Sequence, residues 1–99
     1  MSEAQLQAAV VDMAQRLGWL TFHDYDSRRS NPGLPDLLLV RERVVFAELK
    51  TEKGRLSEEQ GRWLFRLDAA GAEAHVWRPA DWRSGVVERV LRHREDTAA

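Results

Sequence analysis

The chain has no cysteine, no isoleucine, a single tyrosine and only two lysines. Without cysteine there is no disulfide, no thiolate metal site and no cysteine nucleophile. No apolar run approaches the roughly 18 residues of a membrane span, and no signal-peptide pattern opens the chain. The expected location is therefore cytoplasmic, with no membrane partner. Neither charge is in surplus: fifteen Lys and Arg face sixteen Asp and Glu, for a net charge of −1. That balance gives no global argument for nucleic-acid binding. Repeats and low-complexity linkers are also missing. What is present, 43% hydrophobic and 31% charged residues over 99 positions, excludes a disordered chain and fits one globular domain, 1–99.

Almost every base is Arg, and the two lysines, Lys50 and Lys53, fall in one short stretch. Lysine is the compact, titratable cation of the pair, so this stretch is a pointer. The hydrophobic pattern places elements around it. Residues 3–17 form an amphipathic helix with Leu6, Val10, Met13, Ala14 and Leu17 on one side. Ser2 and Gln5 make a capping box, and Gly18 ends the helix. Residues 19–25 are aromatic and β-branched enough for a strand, and residues 26–35 are a loop with two prolines and an Arg pair. Residues 36–40 and 44–50 read as strands of a hairpin turning at 41–43. A second capping box, Ser57 with Gln60, starts a second helix. Residues 74–77 form a last strand, and Asp81 caps a last helix through Leu91. The order is α-β-β-β-α-β-α, which predicts an α/β fold with a mixed sheet flanked by helices.

Four charged residues break the burial pattern, and such violations are the first candidates for function. Glu3 lies on the apolar side of the first helix. Asp36 opens an otherwise apolar strand. Glu48 and Lys50 share a strand face with Val44 and Phe46, which are expected to be buried. If the three carboxylates converge, they repel and need protons or a cation. An oxygen-only donor set suits Mg²⁺ or Mn²⁺, and the backbone carbonyl of Leu49 could add a ligand. Such an ion polarises a phosphoryl group and generates hydroxide, while a neighbouring lysine stabilises the charged transition state.

Pro35-Asp36 followed by Glu48-Leu49-Lys50 resembles the PD-(D/E)XK nuclease signature. Gly33-Leu34-Pro35-Asp36-Leu37, the Glu-Leu-Lys triplet and Gly54-Arg55-Leu56-Ser57-Glu58-Glu59-Gln60 together resemble the VRR-NUC family, over about residues 3–82. The resemblance implies a restriction-endonuclease-like core and Mg²⁺- or Mn²⁺-dependent cleavage of DNA. It implies Asp36, Glu48 and Glu3 as metal ligands, Lys50 as the catalytic lysine, and Gln60 as a residue reaching the site from the second helix. Stand-alone, phage-type members resemble junction resolvases and act as dimers. The resemblance therefore implies branched or junction DNA as substrate, and the host cytoplasm as location if the chain is phage-encoded.

Around that site, Arg28, Arg29 and Ser30 are candidate phosphate contacts, and Lys53 and Arg55 extend the same groove. His23 and Tyr25 alternate toward the loop. Trp19, Trp63, Trp77 and Trp82 are core or interface anchors. Cutting two strands needs two sites in fixed relation, which predicts a homodimer. Two alternatives stay open: a catalytically silent DNA-binding module, and a protein-interaction subunit with a nuclease-like fold.

Overall fold

A computed structural model describes residues 1–23 and 31–95 of the chain. The expectations for Tyr25, Arg28, Arg29 and Ser30 lie outside the described residues.

Helix α1, Glu3–Arg16, starts where the pattern predicts. Ser2 Oγ accepts from the Gln5 amide at 3.1 Å, and Gln5 Oε1 accepts from the Ser2 amide at 2.8 Å. Strands β1 (Leu20–His23), β2 (Leu37–Val40) and β3 (Val44–Leu49) form an antiparallel meander. Helix α2, Glu58–Ala69, carries the second capping box, and β4, Glu73–Trp77, returns parallel to β3. The sheet order is β1-β2-β3-β4.

The last helix is two helices, α3 (Pro79–Arg83) and α4 (Val86–Arg92). Gly85 sits between them at φ +86°, a left-handed conformation that suits glycine and breaks the helical path. Asp81 therefore caps α3, accepting from the Arg78 amide at 2.8 Å, and plays no part in starting α4. No helix among the described residues is long and apolar enough to cross a membrane.

Strand parity on β3 divides the sheet as the sequence indicates. Val45, Ala47 and Leu49 are fully buried and join Leu37, Leu39, Trp77, Leu6, Val10, Val87 and Leu91 in one core under α1, α3 and α4. Trp19 closes this core, its indole N–H donating to the Leu91 carbonyl at 3.0 Å. Arg41 and Arg43, from the β2–β3 turn, lie 4.5 and 5.0 Å from the Trp19 ring and donate to carbonyls at the ends of α1 and α4.

The opposite face departs from expectation. Val44 is 46% exposed and Phe46 only half-buried, so the face that Glu48 shares is not a second complete core. Helix α2 packs on that face mainly over β4, and none of its residues is fully buried. Among the described residues no helix covers the β1–β3 part of that face: Leu20 and Phe22 are 74% and 60% exposed.

Candidate active site

The site forms where β3 outruns β2. Leu37 pairs with Ala47, so Asp36 lies just beyond the start of β2 and opposite the end of β3. Its carboxylate takes over from the missing strand: Asp36 Oδ2 accepts from the Leu49 amide at 2.8 Å. Extending the register two places sets Pro35 opposite Leu49. Proline has no N–H to donate. In an antiparallel ladder a residue's N–H and C=O point to the same neighbour. The Leu49 carbonyl thus opens toward Asp36 and has no ladder donor there.

Glu48 is the one buried charged residue among those described, 2% exposed. Gln60 Nε2, from the first turn of α2, donates to its Oε1 at 3.1 Å. Glu48 Oε2 is buried and has no hydrogen-bond partner. Burial pushes the Glu48 carboxyl up to about 8, helped by the neighbouring Asp36 carboxyl; Lys50 opposes the shift and Glu3 adds weakly to it. Without a metal, Glu48 therefore holds its proton at neutral pH.

The structure brings together Asp36, Glu48, Lys50 and Gln60. Glu3 is exposed in the first turn of α1, close enough to be felt at Glu48. Among the described residues no three His, Asp or Glu side chains are grouped to hold a metal by themselves. The donors that fit a hard cation are the Asp36–Glu48 pair and the Leu49 carbonyl, completed by water. An orphaned, buried carboxylate oxygen that is otherwise held protonated is the observation that supports this fit.

Lys53 and Arg55 are exposed on the segment after β3. That segment is held by Arg78, whose Nη1 donates to the carbonyls of Thr51 at 2.6 Å and Gly54 at 2.7 Å. Two more cations escaped the sequence reading: Arg62 and Arg66, exposed one turn apart on α2. Among the described residues Lys53, Arg55, Arg62 and Arg66 form no ion pair. By contrast, Arg16, Arg41, Arg43, Arg83 and Arg92 are all paired with carboxylates. The available signal was the like-charged pair at i, i+4, which is mildly unfavourable in an isolated helix. His23 Nδ1 lies 3.0 Å from Gln7 Nε2, a contact between β1 and α1.

Comparison with known proteins agrees with this geometry. The family model described as the VRR-NUC domain matches residues 2–81. This chain belongs to the VRR-NUC family. A solved structure titled "VRR_NUC domain" superposes with a TM-score of 0.72 at 26% identity, covering 94% of this chain and 97% of that one. No curated protein matches. The VRR-NUC match spans Asp36, Glu48, Lys50 and Gln60 as well as both capped helices, and the fold it brings is nuclease-like.

Proposed function

We propose that this VRR-NUC chain is a divalent-metal-dependent endonuclease that hydrolyses phosphodiester bonds in branched or junction DNA and works as a homodimer. The observation that carries the reading is the buried Glu48 carboxylate with its unpartnered oxygen, set beside half-buried Asp36 and Lys50 at the open end of β3.

Asp36, Glu48 and the Leu49 carbonyl would hold Mg²⁺ or Mn²⁺, with Glu3 reaching it through water. When bound, that ion supplies Lewis-acid polarisation of a phosphate and a nucleophile at neutral pH. The chain's own residues do the rest. Gln60 pins one oxygen of Glu48, so the other stays aimed at the site. Glu48, whose carboxyl burial raises to about 8, would have to release its proton to hold the ion. Lys50 projects from the strand end on the side of Glu48, where its ammonium offsets the charge that builds on the phosphate in the transition state. Lys53, Arg55, Arg62 and Arg66, which form no ion pair among the described residues, supply phosphate contacts that orient the duplex. Arg28, Arg29 and Ser30 are assigned the same role from the sequence.

A local surplus of unpaired cations reconciles DNA binding with a net charge of −1. The test is a panel of branched, flapped, linear and supercoiled DNA, incubated with Mg²⁺, Mn²⁺ or chelator, with Lys50→Ala alongside. Metal-dependent cleavage of branched substrates that is lost in Lys50→Ala supports the proposal. Binding without cleavage under every metal assigns a silent DNA-binding module instead. Cleavage by Lys50→Ala at the wild-type rate overturns the role given to the lysine.

A further inference from the structure

The segment before Asp36 and the first turn of α2 meet at two points. Residues 31–34 form a turn closed by the Leu34 amide on the Asn31 carbonyl at 3.2 Å. Pro32 stands at its second position and Gly33 at its third, with φ +89°, the combination a type II turn requires. At the first point, a Cβ on Gly33 would lie 2.4 Å from the Glu59 carbonyl carbon, 2.5 Å from its oxygen and 2.8 Å from the Gln60 amide nitrogen. All three are backbone atoms of the peptide leading into Gln60, so no side chain could swing away. At the second point, Trp63 Nε1 donates to the Pro32 carbonyl at 3.1 Å. Trp63 is one helical turn beyond Gln60, and its indole bridges α2 to the same turn.

The geometry points to Gly33 and Trp63 as positioning residues: together they seat the first turn of α2 so that the Gln60 amide meets Glu48. This rests on reading Glu48 as a metal ligand, but the placement of Gln60 can be measured without metal. The capping box fixes where α2 begins along the chain. It does not fix how far α2 stands from β3. Because α2 has no fully buried residue, apolar packing holds that distance only loosely. The glycine allows close approach, and the indole bond sets the helix against the turn. A small displacement of α2 would separate Gln60 from Glu48, since a hydrogen bond at 3.1 Å has little length to spare.

The experiment compares wild type with Trp63→Phe, Gly33→Ala, Gln60→Ala, the double variant Trp63→Phe/Gln60→Ala, and Gly61→Ala. Gly61 has open space where its Cβ would go, so that variant controls for changes within α2. The first readout is the Gln60 side-chain amide resonance in metal-free protein, which moves in Trp63→Phe and Gly33→Ala and stays in place in Gly61→Ala. The second is the Kd for Mn²⁺ alone, by titration calorimetry. Loss of a partner that orients a metal ligand costs roughly 10- to 100-fold in affinity, expected for Gln60→Ala; Trp63→Phe, one step further out, weakens binding roughly 3- to 10-fold. In the Gln60→Ala background Trp63→Phe adds nothing, because its effect runs through Gln60; a general loss of stability would act in both backgrounds. An unmoved Gln60 resonance in Trp63→Phe, or an equal affinity loss in both backgrounds, overturns the proposal. A wild-type protein that binds no Mn²⁺ sinks the metal reading, and the resonance still decides the positioning role. Should Gly33→Ala fail to fold, Trp63→Phe carries the test.

Discussion

Glu48 and Asp36 stand side by side at the open end of β3, with the Glu48 carboxyl raised to about 8 by burial and by its acidic neighbour. The folded carboxyl therefore binds its proton more tightly than the unfolded one, whose ordinary value is 4.5. Between those values the folded state holds more protons than the unfolded state, so stability falls as pH rises. Metal-free protein is expected to lose melting temperature steadily from about pH 5 to about pH 8. Glu48→Gln, which keeps the shape and removes the titration, flattens this slope. Saturating Mn²⁺ removes the slope over this range in the wild type, because the ion replaces the proton and the unfolded carboxyl is already ionised there. Melting curves across pH, with and without Mn²⁺, check all three outcomes. An unchanged slope in Glu48→Gln would sink the assignment.

Arg62 and Arg66 carry a prediction that net charge conceals. Each phosphate contact contributes about 0.9 to the slope of log K against log salt for duplex DNA. The double variant Arg62→Ala/Arg66→Ala is expected to lower that slope by about 2 and to weaken binding evenly across sequences. Fluorescence anisotropy in Ca²⁺ or chelator, over a range of salt, separates this from cleavage. The same slope as wild type removes both arginines from the interface. Arg16, already paired with Asp12 at 3.0 Å, is a matched control: Arg16→Ala should change nothing.

The parts of this site that are local in sequence were legible there. Ser2 with Gln5 and Ser57 with Gln60 set two helix starts, and parity along β3 separated Glu48 and Lys50 from Leu49. What depends on partners far along the chain was not. A period-2 pattern places Val44 and Phe46 on the face of Glu48, yet says nothing about whether a helix covers them. The arginines left unpaired at 62 and 66 could be told from their paired counterparts only once the carboxylates were located. The break at Gly85 was hidden because Val86, Val87, Val90 and Leu91 keep helical spacing on its far side.

The open half of the sheet predicts how two copies would meet. The register aligns Leu20, Val40 and Val44 in one cross-strand row and Phe22, Leu38 and Phe46 in a second. At strand spacings of about 4.8 Å these rows cover roughly 200 Å², enough for the apolar centre of an interface but not for the ~800 Å² per partner of a stable one. A two-fold pair centred here would draw its rim from neighbouring surface. Sedimentation at micromolar concentration should show a dimer for wild type and a monomer for Phe22→Glu. Phe22 is 60% exposed, so the change leaves the core intact. A wild-type monomer would refute the homodimer, and a dimeric Phe22→Glu would move the interface elsewhere.

Stability is concentrated at the other end of the sheet. The Arg41 side chain is 9% exposed. It donates to the carbonyls of Leu17 at 3.1 Å, Leu91 at 3.0 Å and His93 at 2.7 Å, with Trp19 stacked 4.5 Å away. Arg41 thus ties α1, α4 and the β2–β3 turn together through three charge-assisted bonds. Removing it takes the side-chain donor from the Leu17 carbonyl, leaves Leu91 with Trp19 alone and His93 with Arg43 alone, and uncovers one face of Trp19. Allowing for water reaching the vacated carbonyls, Arg41→Ala is expected to cost about 3 kcal/mol, a drop in melting temperature of roughly 10–20 °C for a domain of this size. Arg41→Lys recovers only part of the loss, since an ammonium cannot span three carbonyls in a plane. Neither variant should alter the Kd for Mn²⁺ at temperatures where it is folded, because the turn lies at the opposite end of β3 from Glu48. Calorimetric melting with Mn²⁺ titration at low temperature checks both halves. An Arg41→Ala protein as stable as wild type would show that the three bonds contribute nothing net.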